Sequence, residues 1–174
     1  MAYLPREERR AAIIEATVRV MLADGLEGVS ARSVATAVEG SPGLIHQHFA
    51  SVPELIASAW KKFVADSLAE YDQAVVADGE DPIREFFGNH VDPERAAEVG
   101  LWVSAWAYAL RSPEFGPVYA ETLGRLTAAL RRADPEVSEL AAERTVLLGV
   151  ALAGMQRIAP EQYGAAHLEH LITG

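Results

Sequence analysis

A chain of 174 residues, half of them apolar, suits one compact unit or a small head on a larger body. With no cysteine it has no disulfide framework and no thiolate chemistry, and no apolar run nears the ~20 residues needed to cross a bilayer. The formal charge of −10 falls entirely after residue 62, because Arg6, Arg9, Arg10, Arg19, Arg32, Lys61 and Lys62 balance the acidic side chains before it, so only the first third is suited to meet a phosphate backbone.

Met1–Glu8 lacks the basic-then-apolar order of a secretory leader, and the expectation is a soluble cytoplasmic protein with no membrane partner. The spacing of Ile13, Ala16, Thr17, Val20 and Met21 predicts a first helix from about Arg6 to Ala23 with that stripe buried. Arg6, Arg9 and Arg10 crowd its start, where positive charge opposes the helix dipole. Two readings stay open: a phosphate contact, or a solvated helix end partnered by Glu7 and Glu8.

Asp24-Gly25 closes that helix and Leu26-Glu27-Gly28-Val29 forms a loop. Ser30 caps a second helix, about Ala31 to Val38, with Val34, Ala35 and Val38 inward. Arg32 lies in its first turn, where free backbone N–H groups also attract phosphate. After the Glu39-Gly40 turn, Ser41 is a good N-cap and Pro42 fits the first helical position. Ile45 and Phe49 anchor this third helix, His48 packs near the turn, and Pro42, Gly43, His46 and Gln47 point outward. Helix, turn and helix from Ser30 to Phe49 have the layout of a helix-turn-helix, whose second helix enters the major groove. There His46 can donate to a phosphate or a base edge, and Gln47 can read adenine.

Ser51-Val52-Pro53-Glu54 is a capping box opening a long helix to about Val76, with Leu55, Ala59 and Phe63 inward and Trp60 assignable to either side. Asp81-Pro82, Asp92-Pro93, Ser112-Pro113, Asp134-Pro135 and Ala159-Pro160 then predict helix starts, giving helices at about 82–88, 93–111, 113–132, 135–158 and 160–172. No segment alternates long enough to be a strand. The expectation is an all-α fold of about nine helices, with a three-helix head at 1–52 and a helical body at 53–174.

His46 and His48 do not share a helix face, and His167 and His170 lack an acidic or Cys partner, so no metal is expected. There is no nucleophile–base motif and no glycine-rich phosphate loop, hence no enzyme and no cofactor. Gly100, Gly149 and Gly154 are read as close helix packing. The body gathers Phe86, Phe87, Trp102, Trp106, Tyr108, Phe115 and Tyr119, which serve either as a packed core or as a pocket wall. As a pocket wall the candidates are Phe63, Phe86, Phe87, Trp102, Trp106, Tyr119 and Met155.

Residues 6–52 resemble the DNA-binding domain of TetR-type transcriptional regulators. The matching pieces are Ile13-Ile14-Glu15-Ala16, Asp24-Gly25, Val29-Ser30, Val34-Ala35, Ser41-Pro42-Gly43-Leu44-Ile45, His48-Phe49 and Glu54-Leu55. Ser41–Ile45, with Leu101-Trp102-Val103, Trp106 and Ala109–Glu114, is most similar to the BetI-like branch, which governs choline and betaine metabolism. The resemblance implies a homodimer joined through the last two helices, about 135–172, and a double-stranded operator read by Arg6, Arg9, Arg10, Ser30, Arg32 and Ser41 to His48. It also implies a cationic or apolar small-molecule effector in the body, cations being held through aromatic faces, and a fourth helix that carries the body's state to the head. The chain departs from the family pattern at His46, which replaces a Tyr, and at Val52, which replaces a Lys. In the turn Glu39 replaces Gly and Gly40 replaces Val. The expected function is a ligand-released repressor; the alternative is a dimeric binding module of the same fold that has lost operator recognition.

Overall fold

The computed structural model describes residues 5–173, and among them there are ten α-helices and no strand, so the all-α expectation holds. The helices are α1 (Arg6–Asp24), α2 (Ala31–Ala37), α3 (Pro42–His48), α4 (Val52–Asp72), α5 (Pro82–Phe86), α6 (Gly88–Val91), α7 (Ala96–Ala109), α8 (Gly116–Ala133), α9 (Glu139–Ile158) and α10 (Ala165–Thr173). A 3₁₀ turn at Leu26–Gly28 follows α1, a π-helical turn at Gln73–Ala77 ends α4, and a second 3₁₀ turn at Pro93–Arg95 precedes α7.

The head forms as its local signals direct. The predicted stripe of α1 is buried in full. Ser30, Ser41 and Ser51 each cap the next helix, accepting from the backbone N–H of Ser33, Leu44 and Glu54. Two caps differ in detail from expectation. The Ser30 box is completed by the Ser33 hydroxyl, and the Glu54 carboxylate reaches the N–H of Ala50 at 2.9 Å, one residue before the cap.

In the body, several proline marks open a turn and not a helix. Pro113 lies in a turn, and α8 begins at Gly116. Asp134 accepts from the N–H of Glu136, while the true cap of α9 is Ser138, which accepts from Ala141. Pro93 opens only the 3₁₀ turn, and α10 begins at Ala165, past Pro160. A cap residue followed by Pro suits the first two positions of a β-turn as well as it suits a helix start, so this mark placed the breaks, gave the start of α5 at Pro82 under its Asp81 cap, and misplaced the other four starts.

The helix α4 runs along α1 in the head and along α8 in the body, and α9 packs on both α7 and α8. One apolar core passes from Ile13, Val34 and Ile45 through Leu55 and Trp60 to Phe115 and Tyr119, with no gap at residue 52. Trp60, assignable to either side in the sequence, is wholly buried, and its indole N–H donates to Thr122 Oγ1 at 2.9 Å. Its ring centroid lies 4.8 Å from that of Trp102, nearly edge-on, and 5.9 Å from that of Tyr119.

A second bond set joins head to body. Gly25 has φ 73°, and a Cβ there would come within 2.7 Å of Ser104 Oγ. Gly25 thus lets the turn after α1 approach α7 closely. The N–H of Leu26 donates to Ser104 Oγ at 2.9 Å, Ser104 donates to Glu27 at 3.3 Å, and Arg111 pairs with Glu27.

Candidate nucleic-acid interface and ligand cavity

The third helix offers a mostly exposed rod. Ile45 and Phe49 are buried as anchors, while Ser41, Pro42, Gly43, His46 and Gln47 are exposed and His48 is half-buried. His48 Nδ1 is enclosed without a hydrogen-bond partner among the described residues, in keeping with a side chain packed near the turn. The basic candidates divide. Arg6 and Arg32 are exposed, Arg9 is half-buried, and none of them forms an ion pair among the described residues. Arg10 is engaged within the head: its guanidinium carbon sits 4.4 Å from the Phe49 ring centroid, and Nη2 lies 3.9 Å from Glu54. This places the start of α1 beside the end of α3 and gives Arg10 a packing role of its own. The Ser30 and Ser41 hydroxyl oxygens accept the capping bonds, and the Ser30 hydroxyl also donates to Ser33 Oγ.

The turn between α2 and α3 is a Schellman motif. The N–H of Gly40 donates to Ala35 and that of Glu39 to Thr36. Its left-handed residue is Glu39, at φ 52°, where glycine is usual. A Cβ at Gly40 would meet only the flexible end of Leu44, Cδ2 at 2.9 Å.

In the body, α4, α5, α6, α7, α8 and α9 enclose a cavity of about 90 Å³. Its lining includes apolar Phe86, Val99, Trp102, Leu126, Val146 and Val150 and polar Glu70, Glu85, Asn89, His90 and Arg95. Of the aromatic candidates, Phe86 and Trp102 line it. Phe63 and Tyr119 belong to the core around Trp60, and Phe87 packs against Leu152 and Leu168. Trp106 is 42 % exposed, and Met155 is off the cavity wall. Trp102 and Trp106, spaced for one helix face, therefore meet different surroundings.

Burial pushes Glu85 above its ordinary carboxylate range, with help from Glu80 and Glu70. Burial pushes the Tyr71 phenol up to about 12, aided by Asp72 and Glu85, and its hydroxyl donates to the Pro82 carbonyl at 3.2 Å. His90 is pushed down by burial, partly offset by the bond from its Nε2 to the Gly149 carbonyl at 2.9 Å. A carbonyl can only accept, so Nε2 carries the proton. Gly149 also lets the Phe86 ring close on α9, since a Cβ there would lie 3.1 Å from Phe86 Cε1. Gly100 is covered by Arg157, whereas Gly154 has open space around it and marks no close packing.

The polar cavity residues and the Ser104 contact went unnoticed in the sequence. In the sequence Arg95, between Glu94 and Glu98, looks like part of a solvated face, and only the fold brings it to Glu70, 25 residues away. No group of three metal-ligating side chains occurs among the described residues, and no helix among them is long and apolar enough to cross a membrane.

No family model matches the chain. A curated relative, the HTH-type transcriptional regulator PksA of Bacillus subtilis (strain 168), is 43 % identical over 58 residues, which are 33 % of this chain and 28 % of that protein. The match thus spans little more than a quarter of that relative's length. Among solved structures, a transcriptional regulator from Rhodococcus sp. Rha1 superposes with a TM-score of 0.73 at 27 % identity, over 94 % of this chain and 91 % of the other. The multidrug binding protein EbrR, complexed with proflavin, gives 0.71 at 24 % identity over 95 % and 98 %. A TetR-family member from Streptomyces coelicolor A3 gives 0.72 at 23 % identity over 95 % and 96 %. The chain has the all-helical fold of the TetR-family transcriptional regulators.

Proposed function

We propose that the protein is a dimeric transcriptional repressor, released from a near-palindromic operator by a small molecule bound in the body. The observation that carries this reading is the exposed rod of α3, with Pro42, Gly43, His46 and Gln47 outward over buried Ile45 and Phe49. Around it, Arg6, Arg9, Arg32 and the N-terminal turns of α2 and α3 would position the phosphates. Arg10 would act mainly by bracing α1 against Phe49. The head is residues 1–52 and the body 53–174.

The effector would occupy the cavity beside Phe86 and Trp102. A row of exposed apolar side chains on α9, Leu140, Leu147 and Ile158, with Leu171 on α10, favours pairing of two copies through these helices. The resemblance of the Ser41–Ile45 and Leu101–Glu114 segments supports, as part of this reading, a place near the BetI-like branch.

A mobility-shift titration with the DNA upstream of the protein's own gene tests the proposal. The expected result is binding at low salt that weakens steeply as salt rises. Absence of binding at low salt would overturn it. The second reading, a binding module of this fold without an operator, is favoured by Glu39 and Val52. Glu39 sets an exposed carboxylate on the turn before α3, and Val52 offers no cation at the start of α4. That reading expects ligand binding without salt-dependent DNA affinity.

A further inference from the structure

The cavity is too small for an effector as it stands. At about 90 Å³ it falls well below the roughly 300 Å³ and upward of pockets that hold drug-sized molecules. Part of its wall must therefore move before such a molecule can enter. Four of the six helices around it, α4, α7, α8 and α9, run for 14 residues or more and pack against one another. The other two, α5 and α6, have five and four residues, too short to hold as helices without support. These two carry Glu85, Phe86, Asn89 and His90 of the cavity lining.

We propose that residues 82–91, comprising α5 and α6, form a lid that swings away from α9, widens the cavity and admits the effector. The inference rests on the reading that this cavity takes the effector, and it names the moving part of that site.

Both ends of the lid are loosely held. Before it, the π-helical turn at Gln73–Ala77 has no buried residue, and Val76 to Asp81 are exposed. Gly79 in this stretch has φ 76°, and a Cβ there would meet nothing within 4 Å. After the lid, Asp92 and Pro93 are exposed, and Arg95 then ties the chain to Glu70 on α4 and Glu98 on α7 at 2.6 and 2.9 Å. The closed position rests on few contacts. Tyr71 Oη donates to the Pro82 carbonyl at 3.2 Å, and Asn89 Nδ2 to Glu98 Oε2 at 3.3 Å. His90 Nε2 donates to the Gly149 carbonyl at 2.9 Å, and Gln156 Nε2 to the His90 carbonyl at 2.6 Å. Phe87 packs against Leu152 on α9 and Leu168 on α10. The clasp between α6 and α9 is incomplete, because His90 Nδ1 and Gln156 Oε1 are buried without a hydrogen-bond partner among the described residues. Closing strips both acceptors of water with nothing in return, and opening restores it. The seat of Phe87 and four polar bonds thus hold the lid shut against a standing penalty.

The chain has no cysteine, so a thiol placed in the cavity wall reports its opening. Ala129→Cys, on α8, lines the cavity at a position 2 % exposed, and Ala59→Cys, on α4, is a wholly buried control in the core around Trp60. Each full chain is treated with dithiobis(nitrobenzoate) under native conditions. The reagent is itself drug-sized, so its reaction marks the entry of a molecule of that size. The expected result is that Ala129→Cys reacts about tenfold faster than Ala59→Cys or better, since the control waits for wider unfolding. Ile13→Val, which weakens the head, should speed Ala59→Cys and leave Ala129→Cys unchanged. Phe87→Leu, which thins the lid's seat, should speed Ala129→Cys about tenfold. Tyr71→Phe, which unties Pro82 at the end of the lid away from that seat, should speed it about fivefold. Equal rates for the two thiols, an Ile13→Val effect on both alike, or an Ala129→Cys rate that either lid variant leaves unchanged would overturn the proposal. Should Phe87→Leu fail to fold, Tyr71→Phe decides in its place. The mobility shift is a separate readout. Operator binding with equal thiol rates sinks this inference alone, and fast cavity labelling without operator binding sinks the regulator reading alone.

Discussion

Glu39 shows how one residue can pit fold against function. Its φ of 52° places an L side chain where the Cβ crowds the following carbonyl, at a cost of about 1–2 kcal/mol. Its hydrogen bonds and those of Gly40 keep the turn closed all the same. Glu39→Gly is expected to raise stability by about 1 kcal/mol in denaturant unfolding. It should also tighten operator DNA in the mobility shift by removing a carboxylate beside α3. His90 sets a second balance. Its folded value is pushed below 6.5 by burial, so the unfolded chain takes up the proton first as pH falls. Stability contributed by neutral His90 is whole above pH 6.5 and drains away as pH drops through the folded value. His90→Gln keeps a donor for Gly149 without titrating. Thermal melts from pH 7 down to about 5 should slope less in this variant than in the parent.

At the scale of elements, the join between head and body is set by short polar contacts on a continuous apolar core. Ser104→Ala leaves the buried Leu26 N–H without its acceptor and should cost about 1 kcal/mol or more. Amide exchange at Leu26 should quicken while that at Trp60 does not. The head was legible in the sequence because its signals are local. Ser30, Ser41 and Ser51 act on N–H groups three residues away, and the α1 stripe needs only helical spacing. The cavity was not legible, because six helices build it and neighbours in space are far apart in the chain. Phe63 and Trp102 both read as inward residues. Periodicity says that a side chain faces inward and is silent on whether it meets atoms or a void. Arg95 and Glu70, charged and distant, read as surface until α4 and the Pro93 turn meet.

At the scale of the whole molecule, the exposed Leu140, Leu147 and Ile158 row on α9 is an apolar surface costly to leave in water. Leu147→Arg is expected to convert a dimer into a monomer in sedimentation, with helix content kept. Operator affinity should fall by about a hundredfold or more, because two half-sites held by one body bind as a unit. An unchanged sedimentation coefficient would place the interface elsewhere. The separation of charge along the chain acts at this scale too. With a neutral front and the −10 gathered behind it, the molecule is an electric lever near a polyanion. If the proposed operator binding holds, the field of a duplex would turn the rear outward before contact forms and favour collisions in the productive orientation. Added salt shortens the reach of that torque as well as weakening the bound state, so arrival should slow while departure quickens.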